Sequence, residues 1–273
     1  MEMSILKVPD ARLYYEVQGS GPVLLMIPGG PADAGAFAGL AACMADRYKV
    51  VPYDPRGNSR SVLDGPPEDQ RMDVHGDDAA RLLAAMGDQS AYVLGSSGGA
   101  QIGLNLAARY PGRVHTLVAH EPPCVELLPD AAEQRAFVNT VYDTYRTHGV
   151  RPAMQKFAAG AGLRDGPQPD QAAPSPQMRE AFGRVMRNLD FFLAHGLKPI
   201  SLYVPDIATL RAGPARIVVG VGETSTGQLA HRTAVALAER LGTTPVTFPG
   251  DHGGYGAQPA AFAEKLHLAL RGE

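Results

Sequence analysis

The stretch AYVLGSSGGAQIGLNLAARYPGRVHTLVAH (91–120) decides the fold that this sequence predicts. It opens with the apolar run AYVL and passes through the glycine-rich turn GSSGG (95–99). Residues 98–110 then follow a helical pattern that Pro111 ends, and RVHTLVAH (113–120) has the character of a second strand. A strand, a tight turn, a helix and another strand together form one unit of a parallel sheet.

Apolar runs elsewhere in the chain extend this unit in both directions. Continuous runs without polar alternation are typical of strands that are buried on both faces. They occur at 23–28, 49–54, 215–221 and, more briefly, 244–250. Helical patterns separate them at 73–87, 227–241 and 258–271, and the N-terminal segments 3–8 and 11–17 are predicted to pair as strands. This alternation predicts an α/β fold with a mostly parallel central sheet flanked by helices.

One long block interrupts the alternation. Between residues 125 and 212 the sequence carries helical patterns, such as 131–147, but no convincing strand of the core. We therefore predict an α/β core made of residues 1–124 and 213–273, with residues 125–212 inserted as a helical lid.

Composition narrows the class of protein. The 273 residues are 45% hydrophobic and carry a net charge of −3, without a basic cluster that would bind nucleic acid or an anionic membrane. Cys43 and Cys124 fit neither a disulfide framework nor a metal site, and no apolar run approaches the ~20 residues of a membrane span. Without a signal-peptide pattern, we expect a cytoplasmic protein that acts on a small molecule without metal or cofactor. No pattern indicates an oligomeric state.

The turn GSSGG matches the pattern G-x-S-x-G, with Ser97 at its centre. Between a strand and a helix, this pattern is typical of a serine nucleophile on a strained turn that larger flanking side chains would block. The helix that follows directs its positive end toward the serine, which favours a developing oxyanion. We therefore expect Ser97 to be a nucleophile.

Two segments carry a resemblance to a known family. GSSGGAQIGLNLAARYPGRVHTLVAHEPP (95–123) resembles the nucleophile region of the α/β-hydrolase superfamily, and YDPRGNSRS (53–61) resembles its D-x-R-G-x-G-x-S turn. The resemblance implies the α/β-hydrolase fold, a cap or lid in place of residues 125–212, and serine hydrolase activity.

The resemblance also implies a histidine base after the last strand, where His252 stands in GDHGGY. The acid that orients this histidine departs from the commoner position, because Ser225 occupies the place where an Asp is expected. Glu121, after the strand 113–120, is our preferred acid, as in haloalkane dehalogenases and some lactone hydrolases of the superfamily. Glu223 is the alternative.

The oxyanion hole is expected to use two backbone N–H groups. One belongs to Gly98, directly after the nucleophile, and the other to Gly30 in the loop PGGP (28–31). This loop lacks the histidine that the family often has before its glycine, but it retains a backbone donor.

The lid is expected to supply most of the substrate pocket, with candidate lining residues Phe137, Val141, Phe182 and Met186. Their apolar character favours a small or medium, mostly apolar carboxylic ester or lactone, cleaved by a Ser-His-Glu triad through an acyl-enzyme. Alternatives are a peptidase resembling proline iminopeptidases, a hydrolase of carbon–carbon bonds, and a non-catalytic ligand-binding member of the fold.

Overall fold

A six-stranded sheet of entirely parallel strands forms the centre of the computed structural model, which describes residues 2–87, 90–162 and 176–273, without the side chains of 176–182. A separate three-stranded antiparallel sheet has the order β1-β2-β5, and the central sheet has the order β4-β3-β6-β7-β8-β9. The strands are β1 (Glu2–Val8), β2 (Ala11–Val17), β3 (Val23–Ile27), β4 (Lys49–Pro52), β5 (Val62–Leu63), β6 (Ala91–Ser96), β7 (Val114–His120), β8 (Arg216–Gly222) and β9 (Val246–Phe248).

Helices alternate with the strands of the central sheet. Their bounds are α1 (Ala38–Met44), α2 (Met72–Ala85), α3 (Gly98–Arg109), α4 (Ala131–His148), α5 (Val150–Ala161), α6 (Pro176–Phe191), α7 (Leu197–Ser201), α8 (Ile207–Ala212), α9 (Leu229–Leu241), α10 (Gly254–Ala257) and α11 (Pro259–Arg271). One π-helical turn, Phe192–Gly196, joins α6 to α7. The sheet separates the buried side chains into two hydrophobic clusters, one on each face, and the helices cover both.

The predicted fold class is confirmed. All five residues of β3 are buried, as expected of a central strand covered on both faces, and the predicted runs at 23–28, 49–54, 91–96 and 113–120 all contain strands of the parallel sheet. The helix α5 was not among the predicted helices. Its sequence VRPAMQKFAAGA contains Pro152 and Gly160, two residue types that are disfavoured in helix interiors.

Among the described residues between β7 and β8 lie five α-helices, α4 to α8, and no strand. The division into a core and a lid at residues 125 and 212 stays a prediction. No helix in the described ranges is long and apolar enough to cross a membrane.

The sheet order determines which strand ends are neighbours. β7 lies directly between β6 and β8, and all three strands run in the same direction. Residues that follow these three strands therefore meet at one edge of the sheet, where open α/β sheets place their ligand sites.

Candidate active site

Ser97 occupies the sharp turn between β6 and α3. Its backbone has φ 54° and ψ −125°, which is a strained conformation for a residue with a side chain. The N–H of Ser97 donates a 2.9 Å hydrogen bond to the carbonyl of His120 on the neighbouring strand, which holds the turn in place.

Three glycines make room for this turn. A Cβ atom at Gly99 would lie 2.0 Å from the carbonyl oxygen of Ile27, and one at Gly95 would lie 2.4 Å from that of Gly99. A Cβ atom at Gly29 would lie 2.5 Å from Cβ of Ser97 itself. Both contacts to backbone oxygen are far inside van der Waals distance, so the outer glycines of G-x-S-x-G are required on steric grounds.

Glu121 and His252 form the central polar contact of the site. Nδ1 of His252 lies 2.7 Å from Oε2 of Glu121, and Oε1 of Glu121 accepts a 2.8 Å hydrogen bond from the N–H of Gly222. Glu121 has φ 47° and is fully buried, whereas 22% of the His252 side chain is exposed. Both oxygens of the buried carboxylate are therefore hydrogen-bonded, and the imidazole remains partly exposed.

Burial by itself would raise the pKa of Glu121. Several interactions outweigh burial and lower this pKa to about 2. They are the hydrogen bond from His252, the positive charge that His120 and His252 carry when protonated, and the hydrogen bond from the N–H of Gly222. Glu121 is thus a carboxylate at neutral pH. A carboxylate on Nδ1 fixes that nitrogen as the N–H donor and leaves Nε2 of His252 as the basic nitrogen.

A second histidine lies behind this pair. His120 is fully buried among the rings of Phe248, Phe262 and Tyr255, with its ring centroid 6.3 Å from that of His252. Burial lowers the pKa of His120 to about 4, so its imidazole is neutral at pH 7.

The alternative acid lies apart from this contact. Glu223 is exposed, and its N–H donates to the carbonyl of Phe248. Ser225, where an Asp was expected from the resemblance, is fully buried. The structure therefore brings Glu121, and not Glu223, to the imidazole of His252.

Ser97, Glu121 and His252 border one cavity of about 250 Å³. Gly30 and Gly98, the two predicted oxyanion donors, border the same cavity. The apolar side chains of its described lining are Pro31, Pro123, Val125, Phe137, Val138, Met154, Phe157, Ala161, Phe192, Ile200, Leu229 and Ala230.

The predicted pocket residues have different positions. Phe137 lines the cavity, but Val141, one helical turn later, is fully buried in the hydrophobic core. Met186 is 38% exposed and does not line the cavity either. The expectations for Val141 and Met186 are therefore corrected. They failed because an apolar stripe at helical spacing does not reveal which neighbouring element each of its residues faces. The side chain of Phe182 lies outside the described residues.

The loop after β3 contains Gly30 in the left-handed region, with φ 50°. A Cβ atom at Gly98 would lie 3.3 Å from the backbone nitrogen of Gly30, so the two predicted donors are close neighbours. Nδ2 of Asn58 donates 3.0 Å hydrogen bonds to the carbonyls of both Gly30 and Ala32. Sequence reasoning missed this brace, since no local pattern links Asn58 to a loop that lies 26 to 28 residues earlier.

Among the described residues, no group of three or more His, Cys, Asp or Glu side chains could hold a metal ion.

Comparison with known proteins identifies the class of this fold and site. A model of the family described as "alpha/beta hydrolase fold" matches residues 22–178, which is more than half of the chain. The uncharacterized hydrolase YraK of Bacillus subtilis (strain 168) is 35% identical over 274 residues, covering 98% of this chain and 96% of that protein.

Solved structures agree on the fold. The chain is similar to a thermophilic esterase from Thermogutta terrifontis, with a TM-score of 0.76, 18% identity, and coverage of 100% of this chain and 99% of that one. It is also similar to the enol-lactonase from Burkholderia xenovorans LB400, with a TM-score of 0.68, 18% identity, and coverage of 99% and 100%. The fold and the family match define a hydrolase of the α/β type. The chain belongs to the alpha/beta hydrolase fold family.

Proposed function

We propose that this protein is a serine hydrolase that cleaves a small or medium, mostly apolar carboxylic ester or lactone. The observation that carries the proposal is the convergence of Ser97, His252 and Glu121 on one apolar cavity, with the 2.7 Å contact between His252 and Glu121 behind it.

The first half of the reaction acylates the enzyme. Nε2 of His252 takes the proton of the Ser97 hydroxyl as Oγ attacks the substrate carbonyl carbon, and the carbonyl π electrons move onto oxygen. The N–H groups of Gly30 and Gly98 stabilise this oxyanion. When the tetrahedral intermediate collapses, the bond to the leaving oxygen breaks, and His252 returns its proton to the departing alcohol.

The second half releases the acid. His252 takes a proton from water as the water oxygen attacks the acyl carbon of the Ser97 ester. The new tetrahedral intermediate collapses, Oγ of Ser97 leaves with the proton from His252, and the carboxylic acid departs. Glu121 stays ionised throughout and stabilises the imidazolium that forms in each half.

The lining of the cavity supports an apolar acyl or alcohol group. Its described lining includes no Lys, Arg or Asp side chain, and its only Glu is Glu121. Because Glu121 is fully buried and both of its oxygens are already hydrogen-bonded, to His252 and to Gly222, this carboxylate is not available to bind a substrate ammonium group. The lining therefore favours an ester or lactone over the N-terminal amine of a peptide. The similarity to an esterase and an enol-lactonase is consistent with this choice.

Intact-mass spectrometry after treatment with a fluorophosphonate tests the proposal, with Ser97→Ala in parallel. We expect one adduct on the wild type, none on Ser97→Ala, and hydrolysis of short-chain 4-nitrophenyl esters or small lactones by the wild type alone. A folded wild type that forms no adduct and hydrolyses no member of this panel would overturn the proposal.

A further inference from the structure

Three successive backbone carbonyls of the loop after β3 each accept a hydrogen bond from a side-chain amide. Asn58 binds the carbonyls of Gly30 and Ala32, as described above. The carbonyl between them, that of Pro31, accepts a 2.8 Å hydrogen bond from Nδ2 of Asn188. Asn188 is 2% exposed and belongs to α6, far along the chain.

The same side chain also holds the turn that carries Asn58. Oδ1 of Asn188 accepts a 2.7 Å hydrogen bond from the N–H of Ser59, and its Nδ2 donates a second bond of 2.8 Å to Oγ of Ser59. Ser59 in turn donates from Oγ to Oδ2 of Asp33 at 2.7 Å. Asn188 thus links α6, the loop after β3 and the 53–61 turn.

Ser59 needs this support because of its backbone conformation. Its φ of 49° lies in the left-handed region, and counting from Asp54 it stands at the second glycine of the motif D-x-R-G-x-G-x-S. A residue with a Cβ atom is disfavoured there relative to glycine, so surrounding contacts have to fix the conformation. Asn188 supplies two of these contacts.

We propose that Asn188 is a positioning residue for the oxyanion hole. This inference rests on the proposed function, in which the N–H of Gly30 binds the oxyanion. The peptide plane that carries the Pro31 nitrogen begins at Gly30, and the next plane carries the Pro31 carbonyl. Holding this carbonyl from α6 therefore fixes the direction of the chain just beyond the Gly30 donor.

Asn58 binds the carbonyls of Gly30 and Ala32 but not the carbonyl of Pro31 between them. A donor that is displaced by a fraction of an ångström still binds a ground-state carbonyl, but it stabilises the oxyanion less well, because transition-state stabilisation depends on preorganised geometry. Loss of the Asn188 contact should therefore lower kcat more than it changes KM.

The variant Asn188→Asp tests this directly, since it keeps the shape and the acceptor for Ser59 but replaces the amide donor with an oxygen. We expect kcat for a short-chain 4-nitrophenyl ester to fall about 10-fold or more, with KM changed less than about 3-fold. The inhibition constant of an apolar trifluoromethyl ketone should rise by the same factor as kcat/KM falls, because its hemiketal with Ser97 carries the oxyanion.

Asn105→Asp is the matched control. Asn105 is also buried and donates one hydrogen bond, 3.1 Å long, to the hydroxyl of Tyr203, away from the loop after β3. We expect both variants to lose stability, because each buries a charge, but only Asn188→Asp should lose affinity for the trifluoromethyl ketone. If Asn188→Asp does not fold, Asn188→Ser removes the same amide without adding a charge and is measured in its place.

The outcomes separate this inference from the proposed function. A wild type without a fluorophosphonate adduct or ester hydrolysis overturns both. A reactive wild type, with folded Asn188 variants that keep kcat and trifluoromethyl ketone affinity within about 2-fold of wild type, overturns the positioning role alone. Equal losses in Asn188→Asp and Asn105→Asp also overturn it, because a general structural effect then explains the result.

Discussion

Glu121 and His252 lie 131 residues apart in the chain, yet Nδ1 of the histidine is only 2.7 Å from Oε2 of the glutamate. The contact is possible because Glu121 follows β7, which lies next to β8 in the sheet, and β9 leads into the loop of His252 on the far side of β8. The N–H of Gly222, at the end of β8, donates a hydrogen bond to the other oxygen of the carboxylate.

The first prediction concerns this acid. Glu121→Gln should lower kcat of ester hydrolysis by ~10²-fold or more, since the neutral amide no longer stabilises the imidazolium and can favour the wrong tautomer. Steady-state kinetics with a short-chain ester measures the effect. Glu223→Gln is the control, because the exposed Glu223 does not contact His252. An equal or larger loss in Glu223→Gln would contradict the assignment.

The second prediction separates the cavity from the core on one helix. Phe137→Ala should shift the preferred ester toward longer acyl chains, because Phe137 lines the cavity. Val141→Ala should leave this preference unchanged and lower the free energy of unfolding by about 1–3 kcal/mol, as a buried large-to-small change does. A series of esters of increasing chain length and urea unfolding measure the two effects. Unchanged chain-length preference in a folded Phe137→Ala would contradict the assigned lining.

The third prediction tests the crowding beside the nucleophile. Gly29→Ala should lower both stability and activity, since its Cβ atom would lie 2.5 Å from that of Ser97 and 2.5 Å from the carbonyl oxygen of Ser96. Gly65→Ala is the matched control, because a Cβ at that position would meet no atom within 4 Å among the described residues beyond its two chain neighbours. Thermal unfolding and the rate of fluorophosphonate labelling measure the effects. Wild-type behaviour of Gly29→Ala would show that this contact relaxes at no cost.

The fourth prediction concerns pH. Burial lowers the pKa of His75 to about 3 and that of His120 to about 4, both below the ordinary value of 6.5. At these two positions the unfolded chain therefore binds more protons than the folded one below pH 6.5. The stability linked to these two histidines is fully present above that pH and falls as the pH decreases toward their folded pKa values.

Urea unfolding at several pH values between 7 and 5 measures this loss. Each buried histidine contributes a slope of up to about 1.4 kcal/mol per pH unit, so His75→Gln should make the decline shallower by up to that amount. The exposed His148 is the control position for the same substitution. A slope that is unchanged in His75→Gln would contradict the prediction.

Much of the fold could be predicted because the signals are local. The apolar runs that form β3, β6 and β7 are continuous in the sequence, and the glycines around Ser97 mark a turn whose steric demands are the same wherever it occurs. Ser97 could be selected because its glycine-rich turn stands between a strand and a helix. Glu121 and His252 could be selected because the resemblance to the α/β-hydrolase superfamily implies an acid and a base after the corresponding strands.

The lining of the pocket and the hydrogen bonds of Asn188 could not be predicted in the same way. Phe137 and Val141 lie on one apolar stripe, and only the packing of α4 decides that the first lines the cavity and the second lies in the core. Asn188 contacts Ser59 and Pro31 across 129 and 157 residues of sequence. A single asparagine in an otherwise ordinary helix gives no sign of such partners.

The left-handed backbone of Ser59 also has an evolutionary consequence. A glycine at this position adopts the conformation unaided, whereas a serine depends on Asn188 for two of its hydrogen bonds. Substitutions at the two positions should therefore be coupled as relatives diverge. Lineages with serine should keep the asparagine, and lineages with glycine are free to replace it, so residues 59 and 188 should covary although they belong to distant parts of the chain.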